Sequence, residues 1–162
     1  LVGSEMCIRD RFTLDTAQIG GVDSTVRKTE VSMEADAKLF VMEKLMTHDN
    51  QTAVSDMTVE MNGAGSSAQI VSRSVAKGHS VQTFHPIAIG NALCHAHVQC
   101  DSIIMDKAQI SSIPEINARD IDAQIIHEAA IGRINNEQIL KLRTFGMTEE
   151  EAEAVIIEDF LA

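Results

Sequence analysis

The chain has 162 residues, 44% of them apolar and 23% charged, which suits one folded domain with a real core and argues against intrinsic disorder. Aromatics are only 3%, with no Trp or Tyr, so base-stacking nucleic-acid modules and aromatic-lined sugar sites are disfavoured. Thirteen basic against 24 acidic residues give a net charge of −11, which argues against both a nucleic-acid partner and an anionic-membrane anchor. No apolar run approaches the roughly 20 residues needed to span a bilayer.

Leu1–Arg11, LVGSEMCIRDR, fits nothing downstream and lacks the apolar core and cleavage site of a secretory signal. It reads as an in-frame translation of a sequencing-library adapter, so residues 1–11 are expected to be non-native. Removing them takes away two charges of each sign and Cys7, leaving Cys94 and Cys100. Two cysteines six residues apart make no disulfide framework, and a reducing cytoplasm fits them. On this reading the domain opens at Phe12 and is truncated at its N-terminal side.

Residues 12–134 have a β-like texture. Apolar or alternating segments such as Leu39–Met42, Thr58–Met61 and Ala68–Val71 are punctuated by Asn62-Gly63, Gly78, Gly90-Asn91, Asp106-Lys107 and Asn117, all turn formers. Ala-Gln-Ile recurs at 17–19, 68–70, 108–110 and 123–125, a faint sign of a repeated unit. A sandwich, a barrel and a parallel β-helix share this texture, and the low aromatic content leans toward the stacked coils of a β-helix.

Residues 135–162 read as two helices. Asn135 with Gln138 predicts a capped helix through about Thr144, followed by Gly146 at a position needing positive φ. Thr148 with Glu151 predicts a second capping box, and Ala152, Val155, Ile156 and Phe160 supply an apolar stripe.

Chemistry concentrates in two places. The segment Cys94-His95-Ala96-His97-Val98-Gln99-Cys100-Asp101 groups thiols, imidazoles and a carboxylate, the ligand types of iron, zinc and Fe–S clusters. On a regular strand Cys94 and Cys100 share one face, about 20 Å apart, and His95 and His97 share the other. Cys94 and His95 are expected to be structural, with His97 a lesser candidate ligand. In Ile126-His127-Glu128, only one of His127 and Glu128 can face a given site without a bulge. The spacing Gly90, His95, His97, Asp101 also approaches a cupin metal site, but Asp replaces the expected Glu and the first gap is one residue short.

The stretch from Gly90 to Ala162 resembles the C-terminal part of the SufB/SufD family of iron–sulfur cluster assembly scaffolds. The resemblance rests on Gly90-Asn91, His97-Val98-Gln99-Cys100-Asp101-Ser102, Ile113-Pro114-Glu115-Ile116, His127-Glu128-Ala129, Ile131-Gly132-Arg133-Ile134, Glu137-Gln138-Ile139-Leu140 and Phe145-Gly146-Met147-Thr148-Glu149-Glu150-Glu151-Ala152. It implies a right-handed parallel β-helix over 12–134 with a C-terminal helical subdomain over 135–162. It also implies a transient Fe–S cluster held by Cys100, Glu128 and His127, in a cytoplasmic scaffold rather than a turnover enzyme. Cys100 and Glu128 together make the chain SufB-like rather than a structural SufD-like subunit. The implied partners are a second SufB/SufD-type subunit or a second copy of itself, a sulfur donor, and a SufC-type ABC ATPase. The ATPase is expected to dock on Phe145, Glu149, Glu150, Glu153 and Phe160. Larger SufB proteins carry further upstream cysteines, and here Cys94 alone is available, so the route of sulfur entry is open.

Overall fold

The computed structural model describes residues 2–162. Leu1, the first residue of the segment read as adapter, lies outside the described residues. Among the described residues eleven strands are followed by two helices: β1 (Val2–Met6), β2 (Arg11–Ile19), β3 (Ser24–Met33), β4 (Lys38–Thr47), β5 (Thr52–Met61), β6 (Ser66–Ala76), β7 (Val81–Gly90), β8 (Cys94–Ile104), β9 (Gln109–Ser112), β10 (Glu115–Ala118), β11 (Gln124–Gly132), α1 (Asn136–Thr144) and α2 (Glu149–Leu161).

The strands alternate between two sheets. One has the order β1-β3-β5-β7-β10, with β9 also on β7, and the other has the order β11-β8-β6-β4-β2. Every pairing is parallel, and partners lie 27 to 29 residues apart, as in Arg11 with Lys38, Lys38 with Ser67 and Ser66 with Cys94. This is the parallel β-helix expected from the sequence, a solenoid of about five coils in which each coil gives one strand to each sheet, the last coil's strand on β7 being broken into β9 and β10. The Ala-Gln-Ile tripeptide is not its repeat. Ala68 stacks on Ala96, which stacks on Ile125 rather than on Ala123, so the tripeptides fall out of register. Asn117 likewise lies inside β10 rather than at a turn.

Period-two alternation sends every other side chain into the space between the sheets. β4 and β5 show it cleanly, alternating buried and half-buried residues along nearly their whole length. The interior is divided along its length. One half is apolar, with Met33, Leu39, Val41, Met57, Met61, Ile70 and Val98 buried together. The other half holds buried Glu43, Thr47, Ser55, Ser72, Ser74, Gln82 and Ser102.

The corners stack as regularly as the strands. Asp49, Gly78 and Asp106 occupy equivalent corner positions at φ 53°, 74° and 53°, and the Asp106 carboxylate accepts from the Gly78 N–H at 2.9 Å. Short polar Asp and Gly are the residues that tolerate this left-handed backbone. At the other corner an amide ladder runs along the axis. Asn62 donates to Ser32 Oγ at 2.9 Å, Asn91 to Asn62 Oδ1 at 2.6 Å, and Arg119 to Asn91 Oδ1 at 3.3 Å.

The helices form as their caps predict, with one difference. Thr148 and Glu151 make the reciprocal capping box, and Gly146 follows α1 at φ 93°. Asn135 Oδ1, however, accepts from the Glu137 N–H at 2.9 Å, while the Gln138 N–H goes to the Asn135 carbonyl at 3.0 Å. α2 seats Ile157, Phe160 and Leu161 on Met46, Val75 and Ile103, which face outward from β4, β6 and β8. Lys44 and Arg73 donate to the carbonyls of Ala162 and Phe160, so two cations meet the negative end of the helix. No helix among the described residues is long and apolar enough to cross a membrane.

Close stacking makes one glycine indispensable. A Cβ on Gly63 would come 1.9 Å from the Ala35 backbone nitrogen, whereas one on Gly132 meets nothing within 4 Å. Gly63→Ala is expected to cost more than about 2 kcal/mol and Gly132→Ala less than about 0.5 kcal/mol, read as shifts in the urea unfolding midpoint.

Candidate functional site

The site residues lie on β8 and β11, neighbouring strands at the last coil. Inward positions of successive coils stack in columns. Glu43, Ser72, Cys100 and Ala129 form one column, and Val41, Ile70, Val98 and His127 form the next. Cys100 is 2% exposed, and its Sγ lies 3.4 Å from His127 Nε2. Cys94 is also buried on the inner face, six residues back at the apolar end, where its sulfur packs beside Gly90 and leaves no room there for a Cβ. His95 and His97 point outward, as alternation requires.

β11 carries no bulge against β8, and its nine residues pair one to one. His127 therefore points inward and Glu128 outward, where Glu128 Oε2 lies 3.4 Å from His97 Nε2. The expected set of Cys100, Glu128 and His127 is thus not gathered at one point within a single chain. Instead there are two pairs on opposite faces of the sheet, Cys100 with His127 inside and His97 with Glu128 outside. The outer contact has ion-pair distance without hydrogen-bond alignment, since His97 Nε2 is buried and makes no aligned hydrogen bond. Among the described residues no three His, Cys, Asp or Glu side chains converge to hold a metal ion. The cupin comparison fails on architecture as well, because every strand pairing here is parallel.

Burial pushes the Cys100 thiol above its ordinary pKa, and the nearby Asp101 and Glu43 carboxylates push it the same way. The Ser112 hydroxyl works against them, although its Oγ makes no aligned hydrogen bond. Cys100 therefore rests as a thiol in the free protein. It can become a ligand when a metal displaces its proton, and the adjacent imidazole can take that proton or bind alongside.

The sequence reading passed over a second group deeper in the same column. Glu43 is buried, with Oε2 held at 2.8 Å both by the Arg27 guanidinium and by Ser55 Oγ. Burial raises its carboxyl above the usual value, while Arg27 and Ser55 oppose the rise. The signal was present in the alternation, for Leu39, Val41, Glu43 and Leu45 share one phase, and a charge in an inward phase marks a buried pair.

The residues expected at the docking face of the helical subdomain differ in exposure. Phe160 is half-buried between α2 and the sheet, and Glu153, also half-buried, pairs with Lys77 at 3.4 Å. Phe145 is 74% exposed, and Glu149 and Glu150 are exposed beside it.

Parallel coils, a Cys–His pair at the last coil and a capped helical hairpin define a β-solenoid with a thiol site at its end. The family model described as the SUF system FeS cluster assembly, SufBD core domain, matches residues 10–160, and the chain belongs to that family. Among its relatives, an iron–sulfur cluster assembly SufBD family protein of Methanocaldococcus jannaschii is 29% identical over 151 residues, 93% of this chain and 47% of that protein. One from Pyrococcus horikoshii is 31% identical over 142 residues, 83% of this chain and 44% of that protein. One from Methanothermobacter thermautotrophicus is 34% identical over 106 residues, 64% of this chain and 26% of that protein. The chain thus spans about half or less of the length of these relatives.

The buried carboxyl has a pH consequence with a definite sign. In the unfolded chain Glu43 ionises near 4.5, whereas in the folded chain it keeps its proton above that value. Between the two values the folded state binds more protons, so Glu43's contribution to stability falls as pH rises through this window. The stability of Glu43→Gln relative to wild type should therefore improve as pH climbs from 4.5, measured by urea unfolding of both proteins at each pH.

Proposed function

We propose that this chain is a SufB-like scaffold on which an iron–sulfur cluster is built as cargo and then passed on, rather than a turnover enzyme. The observation that carries the reading is the Cys100 Sγ to His127 Nε2 contact of 3.4 Å at the last coil. A thiol and an imidazole that meet there offer two iron ligands of the types clusters take. Neither ligand is a pre-ionised chelate, because the thiol must first lose its proton. A cluster held this way would bind weakly enough to be handed over.

The remaining ligands are proposed to come from across a subunit interface. β11 ends its sheet and leaves one edge unpaired. Around it Ile113, Ile116, Ile121 and Ile131 are 51%, 47%, 98% and 44% exposed. An open strand edge flanked by exposed isoleucines favours burial against another chain, either a SufB/SufD-type subunit or a second copy. Glu128 and His97, on the outer side of the same strands, are proposed to face that partner. A SufC-type ATPase is proposed to dock on the helical hairpin through Phe145, Leu140, Glu149 and Glu150. Its nucleotide chemistry would complement a chain in which no phosphate-binding loop motif stands. A separate sulfur donor is proposed to supply sulfide.

Anaerobic reconstitution with iron and sulfide tests the first claim. Wild type should develop charge-transfer absorption and Cys100→Ser should not, while both keep the same far-UV circular dichroism. Equal cluster content in the two would remove Cys100 as the ligand, and no cluster in either would assign the chain to the structural, SufD-like role. For the ATPase, Glu149 and Glu150 changed together to Lys should raise the dissociation constant on the order of tenfold at low salt, fading as salt rises. Glu153 is left alone in that variant because its pair with Lys77 helps seat α2. Unchanged affinity and salt dependence would remove the acidic face from docking.

A further inference from the structure

The polar half of the interior contains a cavity of about 10 Å³ whose lining includes Glu43, Ser72, Gln82, Cys100 and Ser112. Two of these side chains are almost wholly buried and end in an acceptor that no protein donor reaches. Gln82, 2% exposed, uses both amide hydrogens, donating from Nε2 to Thr47 Oγ1 and to the Val75 carbonyl at 2.8 Å each. The Val75 carbonyl can only accept, so the amide cannot be turned around and Oε1 is left for the cavity. Glu43, 1% exposed, spends Oε2 on Arg27 and Ser55, and its Oε1 has no partner. A buried acceptor without a donor costs on the order of 1–3 kcal/mol, so two at one cavity call for a shared donor. A volume near 10 Å³ is about what a single water molecule requires, and a water carries two hydrogens to give.

We propose that this cavity is a binding site for one water molecule, which donates to Glu43 Oε1 and Gln82 Oε1 and lies against the Cys100 thiol. Its own lone pairs are then available to the hydroxyls of Ser72 and Ser112 or to the thiol hydrogen. Glu43 and Gln82 thereby become positioning residues for Cys100. They set the hydrogen bonding on the sulfur's inner side, while His127 sets it on the other. This goes beyond the cluster reading, and its tests use no iron, so the two can fail separately.

A crystal structure of the unaltered chain at a resolution that orders internal water is the first test. The expected result is one density peak within hydrogen-bond distance of Glu43 Oε1 and Gln82 Oε1. No peak, a metal ion at coordination distance, or Glu43 Oε1 bonded directly to Gln82 Oε1 as a protonated acid would overturn the site. The second test follows the cysteine Cβ resonances of protein labelled at cysteine. Gln82→Met removes one acceptor and should shift the Cys100 signal while leaving Cys94, at the apolar end, in place. Movement of both signals alike, or of neither, would overturn the positioning role.

Discussion

Coil-on-coil register governs everything this molecule can do. Each inward position stacks on the corresponding position of the next coil 27 to 29 residues away, so neighbouring residues of one strand can never share a side. A one-residue slip of β11 against β8 would turn His127 out and Glu128 in. It would also move Ile125 out of the apolar column it shares with Leu39, Ala68 and Ala96. The identity of the residue beside Cys100 is therefore fixed by hydrophobic burial several residues away. The corner geometry reinforces the same register, since Gly63 tolerates no Cβ and the Asn62–Asn91–Arg119 ladder joins consecutive corners.

A solenoid interior need not be uniformly apolar, and here it is not. The apolar half, from Met33 and Met61 to Val98, supplies the burial that holds the coils together. That leaves the other half able to carry Glu43, Gln82 and a run of serines, provided they satisfy one another. Much of the group does. Thr47 bonds Ser80 at 2.9 Å, Ser74 bonds Ser102 at 2.8 Å, and Ser55 bonds Glu43 at 2.8 Å. Cys100 stands where this polar file reaches the last coil, while Cys94 stands at the apolar end of the same strand. Two cysteines with the same burial thus have different chemistry around them, and only one has a polar neighbourhood and an imidazole.

How much of this was legible depended on how local the signal was. The helix ends were readable because caps act within four residues, and Thr148–Glu151 formed as written. The β-helix was readable only as a texture, because any aliphatic residue serves at an inward position such as 39, 41 or 70. Residues 12–89 accordingly offered no motif to the eye, although the family match covers them. The phase of β11 was the harder matter. Both Ile125-x-His127 and Ile126-x-Glu128 look like an apolar face, and only pairing with β8 separates them. The buried role of Glu43 was written in the phase of β4 but is invisible unless that phase is followed through a charged residue. Phe160 and Glu153 are half-buried because the position of α2 against the sheet is set by Met46, Val75 and Ile103, which are distant in sequence.

The electrostatics of Cys100 bear directly on the proposed cluster role. A cysteine that stores a tight metal is usually ionised by cationic neighbours, which lowers the cost of the thiolate before the metal arrives. Cys100 has the opposite surroundings: burial and two carboxylates favour the neutral thiol, and the buried Glu43 beside it takes the Arg27 guanidinium for itself. Every metal bound through this sulfur must therefore supply the free energy of removing a proton from a site that prefers to keep it. That cost is returned when the metal leaves and the thiol is re-formed. It weakens binding at each step without removing a ligand, which is what the proposed role of assembling a cluster rather than storing it calls for.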